Sequence, residues 1–122
     1  MKHVKKLMLK PDPLRAKILL NLSKSKLRIV TMLMTGHGIF KSHLLKMKLV
    51  KDENCRFCNT ILKETATHLL CDCRKFDYER VILFGKSSLS LKDYSVMDFK
   101  DFMLYLKCTK LIERLAVYDI KT

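Results

Sequence analysis

Four of the chain's five cysteines fall in one short stretch, CRFCNTILKETATHLLCDC, residues 55–73, which also holds His68. Cys55 and Cys58 form a C-x2-C pair, the spacing at which a tight turn aims two thiolates at one ion. His68 with Cys71 or Cys73 supplies the far side. Thiolate and imidazole donors in this number point to Zn²⁺, which prefers four N/S ligands in a tetrahedron. The stretch offers five candidates for four places. On a helix, His68 and Cys71 stand at i, i+3 and share a face. His68 and Cys73 stand at i, i+5 and meet only if the helix tightens or ends between them. Both spacings can close a site, so spacing leaves the fourth ligand open.

Four protein ligands without a vacancy make a closed, structural zinc. A deaminase-like catalytic zinc wants a Glu two residues from its His and a Pro before its C-x2-C. Here Leu69-Leu70 follow His68 and Asn54 precedes Cys55, so that reading fails. Three thiolates and an imidazole on Zn²⁺ leave about one negative charge, which Arg56, Lys63, Arg74 and Lys75 can offset. The bland alternative, buried thiols without a metal, fits the full set worse than it would fit a lone pair. Cys108 stands apart and reads as a small core residue.

Helices must position these ligands. Pro11 and Pro13 separate a basic tail, residues 1–12, from LRAKILLNL, whose Leu14, Ile18, Leu19 and Leu22 keep helical spacing. SKSKLRIVTMLMTG reads as a helix capped by Ser23 or Ser25 and ended by Gly36. HGIFKSHLLKMKLV reads as an amphipathic helix with Ile39, Phe40, Leu44, Leu45 and Met47 inward. ATHLLCDC reads as a short helix carrying His68. RKFDYERVILFG continues as a helix to Gly85, and KSSLSLKDYS reads as a loop. The segment VMDFKDFMLYLKCTKLIERLAVY reads as a last helical stretch broken near Thr109. The expected fold is mainly α: a small helical domain with a short Cys/His zinc knuckle and room for one short hairpin at the cysteines. The divisions are a basic tail at 1–12, a basic helical segment at 13–50, the knuckle at 51–75 and C-terminal helices at 76–122, with 13–122 forming one domain.

The 122 residues suit one small domain, and a domain of this size gains from an internal staple. Hydrophobic content of 48% argues against disorder. No apolar run approaches the ~18 residues of a spanning helix, and the basic N-terminus lacks a signal-peptide core. An intracellular location, cytoplasmic or nuclear, with reduced thiols is the expectation. The net charge is +13 and unevenly placed. Residues 1–50 hold 12 Lys/Arg against one acid, Asp12, giving +11; residues 51–122 hold 13 against 11, giving +2. Such a field attracts polyanions, nucleic acid before acidic membranes.

With these residues in view, a family resemblance emerges. The stretch from about Leu19 to Leu111 resembles the C-terminal end of the polyprotein of non-LTR retrotransposons of the jockey-like and related clades. There the segment follows the reverse transcriptase and RNase H domains. The residues that carry it are Thr35-Gly36-His37-Gly38, His43-Leu44, Cys55 and Cys58, Glu64-Thr65, His68-Leu69-Leu70, Cys73 and Arg80. The family's knuckle, C-x2-C then H-x4-C, implies Cys55, Cys58, His68 and Cys73 as ligands and casts Cys71 as a neighbour. Two departures stand out: Arg74 where relatives often have Pro, and Lys48 where they often have Gly, a change that would loosen a turn. The polymerase aspartates and the RNase H carboxylates have no counterpart here. The resemblance thus implies a non-catalytic fragment or derivative of such a polyprotein.

The function expected is nucleic-acid binding, RNA in preference to DNA, with no small-molecule substrate and no membrane. Lys5, Lys6, Arg15, Lys24, Lys26, Arg28 and Lys41 are the candidate phosphate contacts, with Arg56 and Phe57 presented outward by the knuckle. A structural or protein-interaction piece, or a decayed relic, is the alternative. Tyr78, Phe57 and Phe76 can stack on bases but read better as core residues on helix faces. His37, after a helix end and without a nearby acid or thiol, reads as a local hydrogen-bonding residue rather than a catalytic one. Oligomeric state is not set by the sequence.

Overall fold

A computed structural model describes residues 7–119. Among the described residues seven α-helices follow in order: α1 (Arg15–Leu20), α2 (Lys24–Thr35), α3 (Lys41–Lys46), α4 (Asp77–Phe84), α5 (Leu91–Ser95), α6 (Phe99–Thr109) and α7 (Leu111–Ala116). Between α3 and α4 lie the cysteine loop, a π-helical turn (His68–Asp72) and a 3-10 turn (Arg74–Phe76). The fold is mainly α, and among the described residues there is no strand. The expected hairpin reduces to one antiparallel bridge, Asn54 with Lys63.

Sequence chemistry accounts for the helix ends. The Ser23 side chain caps α2 by accepting from Lys26 N–H, and Gly36 ends it at φ 81°. A side chain at Gly38 would put a Cβ 2.5 Å from Met32 Sδ, so the chain leaves α2 through a position only glycine fits. α4 stops at Gly85. The last helical stretch breaks at Lys110, φ 57°, directly after Thr109.

The core is continuous. α2 packs on α7, and α6 packs on both α4 and α7. Ile29, Val30 and Leu33 of α2 meet a core that includes Phe102, Tyr105 and Leu106 of α6 and Leu111 and Leu115 of α7, all 0–1% exposed. Leu69, Leu70 and Phe76 bring the cysteine segment into the same core.

Five expectations need correction. Residues 7–12 are not a loose tail. Leu7 is buried and its N–H donates to Met34 O (3.2 Å). Asp12, the one acid of the first fifty residues, accepts from Leu14 N–H (2.9 Å) and from Phe99 N–H (3.1 Å), so one carboxylate serves the starts of both α1 and α6. Those two backbone bonds, led by Leu14, hold its carboxyl below the usual range. The predicted helix over HGIFKSHLLKMKLV is only the six residues of α3. It ends before Met47, which is exposed, and Lys48 takes φ 61°. The loop KSSLSLKDYS contains α5, opened by a capping box between Ser90 and Asp93. Cys108 is exposed, because Tyr105, Leu106 and Thr109 occupy the inward face of α6. Tyr78 is also exposed, at 73%, while Phe76 is buried.

Candidate metal centre

The loop after Glu53 turns back on itself. Cys55 N–H donates to Leu62 O (2.9 Å) and Glu64 N–H to Glu53 O (2.8 Å), which closes the bridge of Asn54 with Lys63. Inside it Asn59 takes φ 54°, a left-handed conformation that Asn tolerates, and donates its N–H to Cys55 O (3.2 Å). This turn sets Cys55 and Cys58 side by side. Thr65 then opens the next helical turn: its hydroxyl accepts from His68 N–H (3.0 Å).

The fourth ligand is decided in that turn. An α-helix would bring Cys71 back over His68. Instead the chain widens, and Cys73 N–H donates to His68 O (2.7 Å), an i→i+5 closure. The backbone becomes extended at Cys73 (φ −60°, ψ 122°). The sequence reading requires the helix to tighten or end between His68 and Cys73; it widens and then ends. Cys55, Cys58, His68 and Cys73 consequently bring their donor atoms within 4.8 Å of one another, close enough to hold a metal ion. Cys71 is not part of this group; it is buried in the core.

The widened turn exposes carbonyls that an α-helix would pair, and the surrounding core satisfies them. Tyr105 Oη donates to Leu69 O (2.9 Å), Tyr94 Oη to Leu70 O (2.5 Å), and Leu89 N–H to Cys71 O (3.0 Å). Arg80, fully buried, donates to Cys73 O (2.5 Å) and Ser87 O (2.5 Å) and reaches Tyr105 Oη (3.0 Å) and Asp77 Oδ1 (2.6 Å). Burial pushes both tyrosine hydroxyls up, so they stay neutral donors.

Below the cysteine turn sits a second polar group. Glu64 is 0% exposed. It accepts from Arg56 N–H (2.9 Å), Arg56 Nε (3.0 Å), Arg56 Nη2 (2.5 Å) and Lys41 N–H (3.0 Å). The Arg56 guanidinium also donates to Ile39 O (2.9 Å) and lies 3.8 Å from the centre of the Tyr118 ring. Arg56 and Phe57 thus face inward, against the expectation that they point outward. Phe57 packs near Phe76 and Tyr118, with ring centroids 6.0 and 6.3 Å away.

Within the cluster, Cys55 Sγ lies 3.8 Å from Cys73 Sγ, and Cys58 Sγ lies 3.4 Å from His68 Nε2 and 3.1 Å from Thr60 Oγ1. A hydrogen bond from the Cys73 thiol lowers Cys55 to about 3, with burial opposing and His68 assisting. The same bond, with burial, pushes Cys73 up. Burial opposes ionisation of Cys58, but Thr60 and His68 bring its thiol down. Burial also opposes charge on His68, yet the Cys55 and Cys58 sulfurs raise it. The donors therefore compete for protons, and a bound cation replaces those protons, since binding needs thiolates and a neutral imidazole.

The candidate nucleic-acid contacts are scattered. Lys5 and Lys6 lie outside the described residues. Arg15 donates to Lys10 O (2.9 Å), Arg28 pairs with Asp119 (3.0 Å) and Lys41 with Asp52 (2.6 Å). Lys24 and Lys26 are exposed at the start of α2. His37 is exposed, and its backbone N–H bonds to Thr35 Oγ1 (3.3 Å). Of the cations expected near the metal, Lys63 pairs with Glu53 (3.7 Å), and Arg74 and Lys75 are exposed. Reading residue types alone misses the work of Glu64, Arg80, Tyr94 and Tyr105. The available signal for Glu64 and Arg80 is their place among the residues that carry the family resemblance, which says nothing of what they bond to.

No helix among the described residues is long and apolar enough to cross a membrane. No family model, curated protein or solved structure matches the chain.

Proposed function

We propose that this chain is a non-catalytic module that holds one structural Zn²⁺ on Cys55, Cys58, His68 and Cys73 and binds nucleic acid, RNA in preference to DNA. The observation that carries the zinc is the spacing of the donors. A tetrahedral zinc with Zn–S of about 2.3 Å and Zn–N of about 2.0–2.1 Å sets sulfurs about 3.8 Å apart and sulfur from nitrogen about 3.5 Å. The cluster has 3.8 Å between Cys55 and Cys73 and 3.4 Å between Cys58 and His68. Three sulfurs and one imidazole also match the softness zinc selects. All four positions are filled by protein, which leaves none for a substrate.

Nucleic-acid binding rests on the +11 of residues 1–50. With Arg28, Lys41 and Arg56 paired to carboxylates, the exposed Lys24 and Lys26 carry the contact. Origin as a piece of a non-LTR retrotransposon polyprotein rests on the TGHG, C-x2-C, ET and H-x4-C motifs. Fluorescence anisotropy with single-stranded RNA and duplex DNA across a salt series tests the binding. Log K should fall against log salt with a slope of roughly −0.7 per phosphate contact for single strands and −0.9 for duplex. Lys24→Glu with Lys26→Glu should flatten that slope. Absence of salt-dependent binding to either probe refutes the reading.

A second reading, a protein-interaction piece, is favoured by apolar side chains left uncovered on α4. Tyr78, Val81 and Ile82 are 73%, 45% and 63% exposed and lie at i, i+3 and i+4.

A further inference from the structure

On the side of the molecule formed by α6, a groove of about 600 Å³ runs between the start of α2 and α7. This is within the range of sites that hold ligands. Its floor is apolar: Leu22, Met103, Leu104 and Ile112. α6 lines it with Lys100, Asp101, Met103, Leu104 and Lys107, of which Lys100, Met103, Leu104 and Lys107 stand at i, i+3, i+4 and i+7 on one face. Two apolar anchors thus lie between two lysines whose backbone positions are about 10 Å apart along the axis. Lys26 of α2 adds a third cation to the rim. Among the described residues none of these three lysines pairs with a carboxylate. Asp101 and Glu113 also border the groove, so its rim carries three cations against two acids and keeps a net positive charge.

We infer that this groove docks an acidic amphipathic helix of a partner protein. The stripe on α6 is the complement of a helix whose apolar face is flanked by carboxylates. A second copy of the chain is disfavoured, since two bodies of charge +13 repel. A nucleic acid fits the rim but not the floor, because the lining holds no aromatic ring on which a base stacks. The groove includes none of the metal ligands, so this inference stands apart from the metal reading; it shares Lys26 with the nucleic-acid reading, which is why the test variants are placed at Leu104 and Lys107.

The test uses the full chain as purified and a fluorescein-labelled, end-blocked helical peptide. The peptide carries leucines at i, i+3 and i+4, flanked by glutamates. Anisotropy should show saturable binding, weakened roughly tenfold or more by Leu104→Asp, which removes an apolar anchor. Leu104 is already 43% exposed, so the variant should fold, and circular dichroism checks that it does. Lys107→Glu, an exposed site, gives a second variant that should weaken the glutamate peptide and spare a serine-flanked one. The inference is overturned if the glutamate peptide does not bind, or if a lysine-flanked peptide binds as well. It is also overturned if neither variant changes the affinity, or if a single-stranded oligonucleotide is the probe whose binding Leu104→Asp abolishes.

Discussion

The cysteine segment, Glu53 to Phe76, and the helical body of α2, α6 and α7 share one core but are held by different forces. The helical body is closed by apolar side chains: Ile29, Val30, Leu33, Phe102, Leu106, Leu111 and Leu115 are buried and need no partner geometry. The cysteine segment also buries Ala66, Leu69, Leu70 and Phe76, but it buries Glu64 and His68 with them. It is ordered by directional contacts: the Cys/His cluster, the Glu64 carboxylate, and the hydroxyls and guanidinium that meet the carbonyls of its widened turn. Dispersion and apolar burial tolerate small adjustments. A polar network that loses one member leaves the others buried and unpaired. The segment should therefore fail at single atoms, where the helical body yields by volume.

The largest expected difference follows metal removal. Chelation, or Cys73→Ser, should abolish binding of one ion per chain and unfold the segment from Cys55 to Cys73, since such sites contribute on the order of 10–16 kcal/mol of apparent folding energy. Cys71→Ser should retain the ion. Native mass spectrometry reads the ion, and amide exchange reads the segment. If Cys73→Ser keeps the metal and Cys71→Ser loses it, the assignment of the turn is wrong.

Next comes Glu64→Gln. It leaves Arg56 half-buried without its charge partner, and breaking a buried pair from one side costs about 3–5 kcal/mol. Denaturant unfolding of the chain should register the loss, and Arg56→Met should recover part of it in the double variant. Leu33→Ala in α2 should cost a comparable 2–5 kcal/mol through its cavity. Unlike Glu64→Gln, it should leave local exchange around Cys55 unchanged.

A smaller effect is expected from Tyr105→Phe. The ring remains, but Leu69 O and the Arg80 guanidinium lose one partner, so about 1–3 kcal/mol should go. Its comparison in the helical body is Phe102→Leu, which changes volume without unpairing a polar group. The smallest change should be a gain. Lys48 takes φ 61°, which costs a non-glycine residue roughly 1–2 kcal/mol. Lys48→Gly relieves that strain but frees the unfolded chain, so thermal unfolding should show a net rise of at most about 1 kcal/mol.

Most of the helical body is legible in the residues. Ser23 and Gly36 mark both ends of α2, Gly85 ends α4, and the break by Thr109 separates α6 from α7. These are local signals, carried by caps and periodicity, and they survive tertiary packing. Reading fails where a neighbour far along the chain decides. Asp12 fixes the start of α6, which turns part of the supposed tail into a strap. Cys108 falls on the outer face of α6 because the register of that helix is set by its contacts with α4 and α7. Arg56 faces inward because Glu64, across its own loop, and Tyr118, from the far end of the chain, both reach it.

The Cys/His cluster divides along the same line. The sequence by itself determines that two thiolates meet at a tight turn and that His68 joins them with a further cysteine, because the C-x2-C spacing leaves the loop little choice. It also determines the uneven charge, which is simple counting. Only the tertiary structure decides between Cys71 and Cys73. Widening the helical turn strands the carbonyls of Leu69 and Leu70 as well as that of Cys71, which Leu89 N–H meets. Widening is stable here because Tyr94 and Tyr105, more than twenty residues downstream, donate hydroxyls to the first two, and Arg80 secures Cys73 O. No rule of local spacing contains those partners. They come to the cysteine turn only when α4, α5 and α6 pack around it.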